Sequence, residues 1–151
     1  MKLLLQRVSQ ASVLVEGQEI AKTIEGKQGL MVLVGIGLND TESCIKPALL
    51  KLVDLRVFSD DKGRFDRSLR DIGGSLLLVP QFTLYADTKK GRRPDFFSAK
   101  PPVEASMFFD LIVKEAVNIL GEDKVSSGKF GADMKVSLVN DGPVTIMLEF
   151  S

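Results

Sequence analysis

The stretch MKVSLVNDGPVTIMLEF, Met134 to Phe150, alternates apolar and polar residues on both sides of an interruption, Asn140-Asp141-Gly142-Pro143. Met134, Val136 and Leu138 share one face of an extended chain. Val144, Ile146, Leu148 and Phe150 share another. A period of two makes the C-terminus part of a sheet. Asn-Asp-Gly between two alternating runs is a hairpin signal. Gly142 permits positive φ, and Pro143 fixes φ and removes a donor. The local rules therefore predict two strands joined by a turn, with a trans X-Pro bond, since only about 5–6% of such bonds in folded proteins are cis.

Working outward, Leu3 to Glu16 is β-rich, with the clearest alternation at Ala11-Ser12-Val13-Leu14-Val15, which predicts two strands or one bent strand. Gly29 to Ile36 is a short Val- and Ile-containing apolar run, the pattern of a strand buried on both faces. A strand is expected at Leu55 to Phe58, followed by a turn at Asp60 to Gly63, and another from Ser75 to about Val79, running into Pro80. Two segments change to helical spacing. Ile45, Ala48, Leu49, Leu52 and Val53 form one stripe, with Asp40, Thr41 or Ser43 as candidate caps and a late regular start because of Pro47. Ala105, Phe108, Phe109, Ile112, Val113, Ala116, Val117 and Leu120 form the second, ended by Gly121. Many strands with two inserted helices predict a compact α+β fold with a mixed or antiparallel sheet. Strand edges in such a fold need covering, and a homodimer is one way to do it.

The chain has 151 residues, 44% hydrophobic and 26% charged, which fits one globular domain over 1–151. Its longest apolar run, Leu30 to Leu38, is about half of what a membrane helix needs. "MKLLLQRV" is too short for a signal peptide, and a single cysteine, Cys44, fits a reducing cytoplasm. With no histidine, no Ser-His-Asp or Cys-His relay and no histidine-bound metal is available. Zero net charge does not demand a nucleic-acid partner, although a local basic patch can serve one.

Four stretches could carry chemistry. In VPQFTLYAD, Thr83 is a candidate nucleophile and Gln81 a hydrogen-bonding partner, but a threonine hydroxyl needs a base. KKGRRPDFF places Lys89, Lys90, Arg92 and Arg93 before two aromatics, so cations for phosphates precede faces that can stack on bases; a solvated loop with two buried Phe anchors is the plainer alternative. SGKFGADMKVSL sets Phe130 between Gly128 and Gly131, offering backbone N–H groups and one ring to a ligand, or simply an anchored turn. Asn140-Asp141-Gly142-Pro143 is the fourth. Arg64, Arg67 and Arg70 are matched by nearby aspartates and read as a balanced surface, and Cys44 reads as a packing residue.

Taken together and in order, QRVSQASVLVEGQEI, GLMVLVGIG, LRVFSDDKGRFDRSL, DIGGSLLLVPQFTLYAD, KKGRRPDF, FGADMKVSLVNDGPVT and the C-terminal strand closely resemble the bacterial D-aminoacyl-tRNA deacylase family over essentially the whole chain. The resemblance implies hydrolysis of the ester joining a D-amino acid, or glycine, to the 3′ end of tRNA, with L-aminoacyl-tRNA left alone. It implies a β-barrel-like homodimer with the site at the subunit interface. Gly142 and Pro143 would be a cis-peptide chirality filter reaching into the partner's pocket. Gln81, Phe82 and Thr83 would form the catalytic wall of that pocket. Phe130, Gly131 and Met134 would meet the terminal adenosine, and Lys89, Lys90, Arg92 and Arg93 the tRNA phosphates. The implied partners are charged tRNA and a second copy of the chain, without DNA, membrane, metal or cofactor. Two mechanisms stay open: covalent attack by Thr83, or the preferred one, in which the 2′-OH of the terminal ribose helps activate water. One departure stands out: Pro80 replaces the serine most members carry before QFTL, so no role of that serine carries over.

Overall fold

The computed structural model describes residues 1–150. Ten elements follow one another: β1 (Lys2–Val15), β2 (Gln18–Lys22), β3 (Gly29–Gly35), α1 (Ile45–Asp54), β4 (Phe58–Ser59), β5 (Phe65–Arg67), β6 (Ser75–Pro80), α2 (Pro102–Leu120), β7 (Val125–Ser127) and β8 (Met134–Glu149). The main sheet runs β2-β1-β3-β6-β7, with β8 also paired to β1. β1 pairs antiparallel with β2, β3 and β8, whereas β3–β6 and β6–β7 are parallel. The fold is therefore α+β with a mixed sheet. The sheet curls until its ends meet, where the Ser126 hydroxyl donates to the Lys22 carbonyl at 2.8 Å. The result is a nearly closed barrel.

Two apolar clusters lie on opposite faces of the sheet. One packs Leu3, Leu5, Leu30, Val32, Leu76 and Leu78 under both helices; the other fills the barrel with Val8, Ala11, Val13, Met31, Leu77 and Val79. β3 and β6 alternate between the two, and for that reason both read as continuous apolar runs. β1 does something its sequence announces only faintly. Leu3 and Leu5 face the helices, but Val8, Ala11 and Val13 all face the barrel, a phase break at Ser9. The register against β8 shifts there, between Val8 and Gln10. A bulge inserts one residue, flips the side chains and bends the strand. β1 is thus the single bent strand, one of the two options its pattern allowed.

The hairpin expected at Asn140 to Pro143 does not form. β8 is one strand that keeps β1 as its partner throughout: Met134 to Val139 pair with Val15 to Gln10, and Thr145 to Glu149 with Gln6 to Lys2. Four residues, Asp141 to Val144, loop out opposite the one residue Arg7. Adjacent antiparallel partners would have required Met134–Val139 to face Val144–Phe150, and the 14-residue β1 takes both instead. The Gly142-Pro143 peptide is cis, not the trans form the local rules favoured.

Smaller expectations also shift. Pro47 falls in the first turn of α1, and a 3-10 turn at Glu42–Cys44 precedes it, so the regular helix does start late. None of the three candidate caps caps it; Asp40 instead accepts from the Gly37 N–H (2.6 Å) and the Met1 ammonium (2.5 Å). The strand expected at Leu55–Phe58 is only Phe58–Ser59, because the Val57 N–H bonds back to the Leu55 carbonyl and leaves no ladder. No helix among the described residues is long and apolar enough to cross a membrane.

Candidate active site

β6 ends at Pro80, which pairs with Val34 but has no N–H to continue the ladder. The pairing of β6 with β7 stops at Leu78, so Pro80 is the last residue of its strand and is paired on the β3 side only. The Gln81 N–H takes the last bond, to the Val34 carbonyl at 2.8 Å, and the chain then winds into a 3-10 turn at Phe82–Tyr85. As the first N–H groups of that turn, those of Phe82 and Thr83 have no acceptor within it. The Gln81 amide donates to the Thr83 hydroxyl at 2.5 Å.

The turn is held from behind. Tyr85 seats its ring on the glycines of "GIG": a Cβ at Gly37 would come within 2.6 Å of the Tyr85 hydroxyl, and one at Gly35 within 3.3 Å of its ring. Lys2 lies over the same ring at 4.9 Å and donates to the Leu84 carbonyl at 3.3 Å. Burial, reinforced by the Asp40 and Glu149 carboxylates, pushes the Tyr85 phenol up to about 12.

In front of the turn opens a cleft of about 750 Å³. Pro80, Gln81 and Phe82 line one side; Phe96, Phe97, Ala99 to Pro102 and Phe130 to Met134 line the others, together with Val34, Ile36 and Val136. Phe82 meets Phe96 edge-on at 4.9 Å. Phe130 is anchored against Phe109 of α2, with ring centroids 6.4 Å apart. Gly128 packs closely behind the Phe130 to Met134 side: a Cβ there would lie 2.7 Å from the Met134 sulfur, so the methionine side chain would have to move. The fold thus gathers Gln81, Phe82, Phe130, Gly131 and Met134 around one cavity. Its one acidic lining residue is Asp133, paired with Lys135 at 3.3 Å. Among the described residues no cluster of three metal-ligating side chains forms. Cys44 is half-buried, and burial raises its thiol, in keeping with a packing role.

Gly142 and Pro143 are not in that cleft. They sit on the loop opposite Arg7, both exposed. Arg7 is 8% exposed and pairs with no carboxylate among the described residues. Its guanidinium donates to the Asp141 carbonyl (2.8 Å) and the Val57 carbonyl (2.7 Å), and lies 5.4 Å from the Phe65 ring. The Gln28 amide donates to the Asp141 carboxylate at 2.5 Å, and the Val144 N–H to the Asn140 side chain at 2.9 Å. A Cβ at Gly142, whose φ is +140°, would approach the Arg7 guanidinium to 3.0 Å. Sequence patterning did not single out Arg7; a lone cation inside an apolar strand was its only signal. Lys89, Lys90, Arg92 and Arg93 form an exposed loop closed at its base by paired backbone bonds between Asp87 and Asp95.

Comparison with known proteins bears on the fold and the family. A D-aminoacyl-tRNA deacylase of Roseiflexus sp. (strain RS-1) is 52% identical over 99% of this chain and 93% of its own length. The enzyme of that name from Ectopseudomonas mendocina (strain ymp) is 53% identical over 99% of both chains. Among solved structures, a c-Myc DNA unwinding element binding protein superposes with a TM-score of 0.93 at 39% identity, covering 100% of this chain and 99% of its own. A probable eukaryotic D-amino acid tRNA deacylase shares the fold, with a TM-score of 0.86 at 19% identity over 97% of each chain. Residues 4–149 match the family described as D-Tyr-tRNA(Tyr) deacylase, and the chain belongs to that family.

Proposed function

We propose that the cleft hydrolyses the ester of D-aminoacyl-tRNA, releasing free tRNA and the D-amino acid. Ester hydrolysis needs a place for the acyl oxygen, an activated water and a fixed leaving group. The terminal adenosine lies against Phe130, Gly131 and Met134. The ester then reaches the Phe82 and Thr83 N–H groups, which hold the developing oxyanion; in other hydrolases one such donor is worth about 2.7–4 kcal/mol.

The observation that carries the mechanism is the partner of the Thr83 hydroxyl. It is the amide of Gln81, and an amide is not a base in either orientation. The nearest carboxylate in sequence, Asp87, accepts from the Lys89 N–H at 2.8 Å. With no histidine in the chain, nothing at Thr83 makes an alkoxide. Water activation therefore falls to the substrate's own 2′-OH, with the Thr83 side chain beside the cleft and not among its lining residues.

Selectivity falls to main chain. Gly142 and Pro143 are exposed and lie outside their own chain's cleft, which leaves them free for the role the family resemblance implies, in the cleft of a second copy. There their carbonyls hold the substrate's ammonium, leaving room for one substituent direction only. Glycine has no side chain to reject, so glycyl-tRNA is also cleaved. The test is release of D-tyrosine from D-Tyr-tRNA carrying a ribose or a 2′-deoxyribose at its last nucleotide. Release from the first alone is the expected result; equal release from both overturns the mechanism, and release from neither overturns the function.

A further inference from the structure

We propose that Phe97 is a stacking platform for an unpaired base of the tRNA acceptor end, adjacent to the terminal nucleotide held in the cleft. The proposal rests on the deacylase reading above and adds how the single-stranded end is gripped. Of the two phenylalanines in KKGRRPDFF, only Phe96 turns inward, onto Phe82. Phe97 is 86% exposed, more than any other large apolar side chain among the described residues, yet it lines the cleft.

The backbone that presents Phe97 is not free. Phe97 follows Phe96 in a turn closed by the Ala99 N–H on the Phe96 carbonyl at 3.0 Å. Beyond it the Leu38 N–H bonds the Ser98 carbonyl (2.9 Å), the Lys100 N–H bonds the Ile36 carbonyl (3.0 Å), and the Lys100 ammonium bonds the Leu38 carbonyl (3.1 Å). A ring carried on so bonded a backbone, yet 86% exposed, contributes little to its own core. It is instead preorganised for an outside face, at little ordering cost.

Charge names the occupant. Lys89, Lys90, Arg92 and Arg93 project from the same loop, and none is in an ion pair among the described residues. The two local carboxylates are exposed but engaged with backbone: Asp87 accepts from the Lys89 N–H and Asp95 from the Phe97 N–H, and neither pairs with the four cations. Unpaired cations beside an exposed aromatic form the combination that binds single-stranded nucleic acid, phosphates on the cations and a base on the ring.

The experiment compares Phe97→Ala, Phe97→Leu and Phe97→Trp with the wild type. Two substrates are used, D-Tyr-tRNA and the 3′-D-tyrosyl ester of adenosine, which lacks the neighbouring nucleotide. Uncharged tRNA with 2-aminopurine as its penultimate base reports stacking by fluorescence quenching, independently of turnover. Alanine and leucine should raise KM for the tRNA about five- to 150-fold, leave kcat and the adenosine ester unchanged, and abolish quenching; tryptophan should restore both. Equal losses on both substrates, an unchanged KM, or unchanged quenching with a shift in sedimentation state, the sign that a second copy covers Phe97, would each overturn the proposal.

Discussion

Replacing Arg7 tests whether the Gly142-Pro143 loop is held by one buried cation. Its guanidinium makes two hydrogen bonds, 2.8 Å to the Asp141 carbonyl and 2.7 Å to the Val57 carbonyl. Bonds from a charged donor are worth about 1.5–3 kcal/mol each. The Asp141 carbonyl is only partly buried and regains water in Arg7→Ala, whereas the Val57 carbonyl stays dry and unpartnered. The exposed Phe65 ring adds about 0.5 kcal/mol. The net loss is about 3 kcal/mol, a fall of about 1–2 M in the urea midpoint for a chain of this size. Arg7→Lys keeps the charge but cannot reach both carbonyls with a planar fork, so it should recover less than half of the loss. Urea unfolding followed by circular dichroism measures the first effect. Deacylation of D- and L-Tyr-tRNA under folded conditions measures the second: the D/L preference should fall while D-tyrosine release persists. A midpoint within about 0.3 M of the wild type, with the preference intact, would refute the idea that Arg7 holds the loop.

Three further outcomes are expected. Thr83→Ala should keep activity within about tenfold of the wild type, since its hydroxyl has no base; a loss beyond about a thousandfold in single-turnover assays would make Thr83 the nucleophile. Tyr85 is the only tyrosine, and the chain has no tryptophan, so absorbance at alkaline pH reports it alone. Its folded value is pushed to about 12 from the ordinary 10. The unfolded chain therefore loses this proton first, and stability should be full below pH 10 and fall from about pH 10 to 12. Tyr85→Phe should flatten that slope, and titration near 10 in the folded protein would contradict the packing of the ring on Gly35 and Gly37. Changing Lys89, Lys90, Arg92 and Arg93 together to Ala should weaken tRNA binding and lower the log Kd–log salt slope by up to about 0.7 for each phosphate no longer neutralised; an unchanged slope would remove the loop from the tRNA footprint.

Much of the architecture was legible because period and burial coincide. The stripes of α1 and α2 and the double-faced runs of β3 and β6 each have one stable solution, under or inside a curled sheet. The cleft segments were visible as QFTL and FGADM, but their convergence was not, since it involves Gly128 packed on Met134 and Tyr85 seated over Gly35 and Gly37. Local rules failed at Asn140 to Pro143 because they score a turn against its neighbours in sequence. Here the deciding partner is β1, at the far end of the chain, which is long enough to pair on both sides of the interruption. The same distance hid Arg7, whose role lies in the carbonyls of Val57 and Asp141.

The most direct test is a side-by-side measurement of D-Tyr-tRNA and L-Tyr-tRNA deacylation by the wild-type protein. Main-chain selection without a protein base predicts rapid release of D-tyrosine and loss of L-tyrosine no faster than in buffer alone. Equal rates for the two, or release of neither at micromolar enzyme, would contradict it.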